Sequence, residues 1–278
     1  MGGGDQKGAT VRSGAHGEDG GFDWNDLESG GMVKSVFFLT LLLAASLVRA
    51  ETPASKPATR ASTQPRMLIK VSSPAVAPET TPVVILLDVN DAPEVKEWAL
   101  SAANYAIKWH PEICKKLPTD GFSAPREVTI HFKVMNGVAY TTGQTISVSA
   151  AWIKKHPEDL GMIAHELTHV IQHYTRGEKP GWLVEGIADY IRYYFVEPGT
   201  KQGGFNPERG YKGGYNPAAG MLNWLEKEHP GIVVKLNTLL REGKYTGEQF
   251  KELAGGDPDT EWEAFKETLK VGKVSGPK

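Results

Sequence analysis

A single cysteine in 278 residues rules out an intrachain disulfide framework, so packing alone must hold any fold this chain adopts. That residue, Cys114, lies in an apolar helical stretch and reads as a small core residue rather than a nucleophile. Charge of one sign is also lacking. With 31 basic and 33 acidic residues the net charge is -2, which provides no broadly cationic surface, and no nucleic-acid partner is expected. No internal repeat is present, which excludes solenoid and propeller arrays. Seven tryptophans and nine phenylalanines exclude general disorder.

Long hydrophobic runs are nearly absent too. The one candidate starts at Met32-Val33-Lys34, continues through Ser35 to Leu47, and ends in Val48-Arg49-Ala50. A basic start, a short apolar stretch and small residues at a cleavage site describe a signal peptide over 32–50, cut after Ala50. The stretch is too short for a stable membrane span, and no second one follows. The expected location is therefore secreted, periplasmic or extracellular. Residues 1–31, rich in glycine and acidic side chains, read as a non-native or disordered leader with the biological start at Met32. Residues 51–66 are Pro, Ser, Thr and Ala with few large apolar side chains, the composition of a disordered linker. From 67 to 278 there is enough chain for one domain with a substantial core.

Within that domain, Val83 to Val89 is a continuous apolar strand and Val128 to Val134 alternates as another. Ala92 to Leu117 reads as a helix broken near Pro111. Asn136-Gly137 marks a turn, and Thr145 to Ala150 is a further strand. Helical patterns then dominate to the C-terminus, with a capping box at Thr246-Gly247-Glu248-Gln249 and a last amphipathic segment carrying Trp262, Phe265 and Leu269. Strands first and helices after imply an α+β fold.

The chemistry is concentrated in Met162-Ile163-Ala164-His165-Glu166-Leu167-Thr168-His169-Val170. On a helix, histidines four apart share a face, where both imidazoles reach one tetrahedral Zn²⁺, and a glutamate directly after the first lies beside the metal's open position. Chance pairs of this kind occur on solvated helices, but here Leu160, Ile163, Ala164, Leu167, Ile171 and Tyr174 recur at three- and four-residue steps. That stripe defines an amphipathic helix from Pro157-Glu158-Asp159 to about Gly177, with His165, Glu166 and His169 on its flank.

A catalytic zinc usually takes three protein ligands and a water. A third histidine on the same helix is excluded, because Gln172 and Thr175 stand where a glycine and that histidine would be. His173 reads as a polar residue at the helix end. The better source is Trp182-Leu183-Val184-Glu185-Gly186-Ile187-Ala188-Asp189-Tyr190, the start of a second helix continuing through Ile191 and Phe195. Glu185 and Asp189 are four apart and share a face. A short connection makes the two helices neighbours, with Gly186 permitting close approach. Glu185 then serves as metal ligand, and Asp189 orients a ligating histidine through its free ring N–H.

Gln172 to Tyr190, together with Gly137-Val138-Ala139-Tyr140-Thr141-Thr142-Gly143 and Ile146-Ser147-Val148-Ser149-Ala150, resembles the basic secretory protein family, the peptidases of plants and bacteria. The resemblance spans about residues 80 to 265. The block Glu185-Gly186-Ile187-Ala188-Asp189-Tyr190 also resembles the third-ligand helix of aminopeptidase gluzincins. It implies a zincin-like fold with a small N-terminal sheet, the active-site helix and a helical C-terminal part, carrying a gluzincin-type zinc site. The near-neutral charge departs from the basic proteins that name the family, so no cationic surface is carried over. By resemblance, Tyr215, after Gly214, is a candidate catalytic donor to the oxyanion, with Tyr211 behind it.

Zinc held by His165, His169 and Glu185, with Glu166 as general base, predicts hydrolysis of peptide bonds in peptide or protein substrates. Endopeptidase action is expected over aminopeptidase action, because residues 137–150 hold no acidic motif to bind a free α-amine. The alternatives are an aminopeptidase of the same clan or a catalytically silent secreted binding protein. The strand Ile146 to Ser149 is either the edge of the cleft, where an extended substrate pairs, or an ordinary interior strand.

Overall fold

Alternation along Glu127–Lys133, where Val128, Ile130 and Phe132 are buried between more exposed neighbours, sets the central strand of a five-stranded sheet. The structure is a computed structural model that describes residues 66–74, 82–200 and 206–274. Residues 1–31, expected as a leader, 32–50, expected as a signal peptide, and 51–65 of the expected linker lie outside the described residues. Arg66, the last residue of that linker, is described, and its guanidinium is held by Asp88 and Asp91.

The strands are β1 (Ile69–Ser72), β2 (Val84–Asp88), β3 (Glu127–Lys133), β4 (Ala139–Thr142) and β5 (Thr145–Ser149), in the order β1-β2-β3-β5-β4. The inner pairs β2–β3 and β3–β5 are parallel, and the outer pairs are antiparallel. One row across the sheet runs Leu87, Ile130, Ile146, Thr141. Three of these are apolar and fully buried, so Thr141 continues a core-facing row out to the edge. The strand 146–149 is thus interior, and the sheet edge on its side is β4, a hairpin partner of β5 turned at Gly143 with φ 59.

Eight α-helices follow or interleave with these strands among the described residues: α1 (Lys96–Lys116), α2 (Ala150–Lys155), α3 (Gly161–Gln172), α4 (Gly181–Tyr190), α5 (Tyr215–Glu228), α6 (Ile232–Glu242), α7 (Gly247–Ala254) and α8 (Pro258–Val274). The fold is mixed α+β, a small sheet with a mostly helical remainder. Three expectations need correction. Helix α1 runs through Pro111 without ending there, because Pro111 lies on the exposed side, where water can take up the carbonyl left without its intrahelical donor. Helix α3 stops at His173, which adopts a left-handed φ of 46, four residues before Gly177. It is also not amphipathic. Met162, His165, Glu166, Thr168, Val170 and Gln172 are buried along with the apolar stripe, because α1, β4, β5 and α4 enclose it.

Helix α4 passes into a π-helical turn at Ile191–Val196. Gly186 admits α5 rather than α3, which corrects the expected role between α3 and α4: a Cβ there would lie 2.8 Å from the Ala218 Cβ. The capping box at Thr246 and Gln249 forms as expected. No described helix is long and apolar enough to cross a membrane.

Candidate metal centre

Helix α3 carries His165 and His169 one turn apart, and α4 presents Glu185 to both of them. His165 Nε2 lies 3.1 Å from His169 Nε2 and 3.1 Å from Glu185 Oε2, and His169 Nε2 lies 3.3 Å from the same oxygen. Among the described residues, this is the cluster of histidine and acidic groups able to hold a metal ion.

The other ring nitrogens are engaged. His165 Nδ1 donates to Asp189 Oδ1 at 2.7 Å, and His169 Nδ1 to Gln172 Oε1 at 2.8 Å. In the neutral form of both rings the Nδ1 hydrogens are committed, and both Nε2 lone pairs face Glu185 Oε2. Three lone-pair atoms so close repel one another unless positive charge lies among them. Bonds of about 2.0–2.1 Å to a tetrahedral zinc place its ligand atoms about 3.3–3.4 Å apart, so the donor set fits that ion in type and spacing. The surrounding carboxylates favour positive charge at this point, whether a proton or a metal ion. Burial disfavours charge on His165, yet Asp189 and Glu185 outweigh it and raise its pKa well above the ordinary value. Burial likewise pushes the Glu185 carboxyl up, but the contacts from His165 and His169 win and hold it well below the usual carboxylate range.

Glu166, next to His165, is buried. Its Oε2 accepts a hydrogen bond from the Thr141 hydroxyl at 2.7 Å, and the same hydroxyl lies 3.1 Å from its main-chain carbonyl. The ring of Tyr215, the first residue of α5, lies nearly parallel to that of His165, with centroids 6.0 Å apart. Burial, reinforced by the charges of Glu185, Asp189 and Glu166, pushes its phenol far up, so Tyr215 remains a donor throughout the neutral range.

Tyr215 has a φ of 50, a left-handed conformation uncommon outside glycine. It follows Gly214, at φ 71, where a Cβ would meet the Glu185 Cβ at 3.1 Å. The approach of this glycine to Glu185 brings the tyrosine to the cluster of His165, His169 and Glu185. Tyr211 is placed elsewhere: its hydroxyl donates to Asp259 Oδ1 at 2.9 Å and its ring packs against Trp182 and Trp262. His173 is exposed at the end of α3 and lies outside the cluster.

Two contacts were not read from the sequence. Gln172 follows His169 at helical i+3 spacing, which places the two side chains side by side and was a usable signal. Thr141 lies 25 residues from Glu166 in the chain, and no local pattern marks it.

A family model described as peptidase of plants and bacteria matches residues 97–265, more than half of the chain. The chain belongs to this family. The matched region contains Thr141, His165, Glu166, His169, Gln172, Glu185, Asp189 and Tyr215. No curated protein matches it significantly. Its structure is similar to a mutant of a two-domain M1 zinc metallopeptidase bound to L-tryptophan, with a TM-score of 0.47, 12% identity and coverage of 71% of this chain and 51% of that one. It is also similar to a mutant M1 zinc metallopeptidase from Deinococcus radiodurans bound to a Tyr-Ser-Ala substrate, with a TM-score of 0.46, 13% identity and the same coverage of 71% and 51%. The chain spans about half the length of the solved structures it matches.

Proposed function

We propose that this chain is a secreted zinc-dependent endopeptidase of the gluzincin type on a zincin-like fold. The observation that carries the reading is the convergence of His165 Nε2, His169 Nε2 and Glu185 Oε2 with distances of 3.1 to 3.3 Å among them. A part-buried set of two imidazoles and one carboxylate suits zinc above other common divalent ions.

A zinc ion held by these three residues supplies Lewis acidity, which lowers the pKa of water towards 7 and polarises a scissile carbonyl. Glu166 accepts the proton of the attacking water and passes it to the leaving amine. Thr141 holds the Glu166 carboxylate through Oε2. Tyr215 donates its phenolic hydrogen to the oxyanion that develops on the carbonyl, a contact that acts most strongly when it is preorganised in a water-poor site. Asp189 keeps the His165 ring in the orientation that aims Nε2 at Glu185.

The peptide substrate lies extended along β4, whose outer side has no strand partner among the described residues. Secretion rests on the basic-apolar-small pattern of 32–50.

The test is cleavage of an unstructured protein by the mature chain, with product termini mapped by mass spectrometry. Internal cleavage abolished by a chelator and restored by zinc is the expected result. Stepwise loss of N-terminal residues would replace endopeptidase with aminopeptidase action, and activity indifferent to chelation would overturn the metal mechanism.

A further inference from the structure

The side chain of Gln172 joins the two helices that carry the ligands. It is the last residue of α3 and only 2% exposed. Its Oε1 lies 2.8 Å from His169 Nδ1, and its Nε2 donates to the Val184 carbonyl at 3.0 Å. The two ends of this amide are not interchangeable. A main-chain carbonyl only accepts, so the NH₂ group must face Val184 and the amide oxygen must face His169. That oxygen in turn only accepts, so the hydrogen of a neutral His169 lies on Nδ1 and its lone pair on Nε2, the atom aimed at His165 and Glu185.

The backbone beneath this amide is fixed as well. Arg241 Nε donates to the Gln172 carbonyl at 3.2 Å and Nη2 to the Ile171 carbonyl at 3.1 Å. Arg241 is itself buried, with Nη1 donating to the Leu117 carbonyl at 3.1 Å and its guanidinium 4.1 Å from the centre of the Phe122 ring. Gln172 is therefore held at main chain and side chain together. Because Val184 immediately precedes Glu185, one amide links the ring of a ligand on α3 to the peptide beside the ligand on α4.

We propose that Gln172 is a positioning residue of the metal site, setting its affinity by fixing the His169 tautomer and the spacing of α3 from α4. This rests on the reading of His165, His169 and Glu185 as a metal centre. The two histidines are then supported unequally, His165 by a carboxylate and His169 by a neutral amide, and the His169 arm depends on the amide keeping its orientation.

The experiment measures zinc affinity of the metal-free protein by competition with a chromophoric chelator, so catalysis is not the readout. Gln172→Met keeps the length of the side chain and removes both hydrogen bonds. Its dissociation constant for zinc rises about 10- to 100-fold, the range found when the partner of a ligating histidine is lost, while the melting temperature of the metal-free protein stays within a few degrees of wild type. His173→Asn, an exposed neighbour, leaves affinity unchanged. Nitrogen-15 NMR of metal-free wild-type protein, at a pH where the imidazole is neutral, shows His169 with its hydrogen on Nδ1; this requires no variant to fold. A wild-type protein that binds one equivalent of zinc, with Gln172→Met binding equally tightly, overturns the positioning role alone. Finding the hydrogen on His169 Nε2 overturns it too. A wild-type protein that binds no zinc overturns the metal-centre reading along with it.

Discussion

Thr141 Oγ1 lies 2.7 Å from Glu166 Oε2, so an edge strand of the sheet holds the carboxylate that follows His165. The contact exists because Thr141 ends the row of Leu87, Ile130 and Ile146 on the face of the sheet that meets α3. If this hydroxyl orients Glu166, Thr141→Val, which keeps the shape and removes the donor, lowers kcat by up to about 10²-fold, the scale of a small misplacement at a reacting centre. Zinc content stays at the wild-type level, and Thr141→Ser restores most of the rate. Equal kcat in the valine variant would remove the role.

Glu166 and Glu185 are both carboxylates at the site, but their proposed tasks separate cleanly in two measurements. Glu166→Gln retains zinc and loses about 10²- to 10⁴-fold in kcat, the usual range for a general base. Glu185→Ala loses the metal itself. Elemental analysis alongside turnover decides between them, and an unchanged zinc content in Glu185→Ala would sink its assignment as a ligand.

Tyr215 contributes a ring and a hydroxyl, and only the hydroxyl is assigned to chemistry. Tyr215→Phe keeps the ring beside His165 and costs about 10²-fold in kcat with KM little changed, as for loss of one oxyanion donor. Because its phenol is pushed far up, no alkaline limb from Tyr215 appears in the activity profile below about pH 10, the ordinary tyrosine value. A variant that raises KM alone would assign Tyr215 to substrate binding instead.

Asp88 predicts a pH dependence of stability away from the metal site. Burial pushes its carboxyl up, but hydrogen bonds from Arg66 and Asn90 outweigh it and hold it below the ordinary 3.8. A carboxyl lowered in the folded state stabilises the fold above its unfolded value, and that contribution is lost as pH falls through the folded value. Asp88→Asn therefore lowers the melting temperature at neutral pH, and its deficit against wild type shrinks once the pH drops below 3.8. Thermal melts of both proteins across that range check it; a deficit of constant size would show that the charge is not its source.

The residues of the candidate metal centre were legible because the helix translates sequence spacing directly into geometry. His165 and His169 at i,i+4 share a face, and so do Glu185 and Asp189, whatever surrounds them. A short connection then leaves α4 little choice but to lie beside α3. The same locality exposed the capping box at Thr246, the strand at Val128–Val134 and the helical C-terminal part. It failed where neighbours far along the chain decide. On the flank assigned to His165, Glu166 and His169 the first two are buried and His169 is part-buried, since the sheet and α4 close over it, and a hydropathy pattern cannot register cover supplied from elsewhere.

From the sequence alone came the donor set, the carboxylate beside it and the mixed α+β class, since residue type and local periodicity suffice for these. Only the tertiary structure decided that the sheet edge is β4 rather than the strand at 146–149, that Gly186 meets Ala218 on α5, and that Gly214 brings Tyr215 to His165. It alone also joined Thr141 to Glu166. Each of these is a contact between segments that the backbone's local periodicity leaves independent, and it comes into being only when strand register and helix packing bring them to the same point in space.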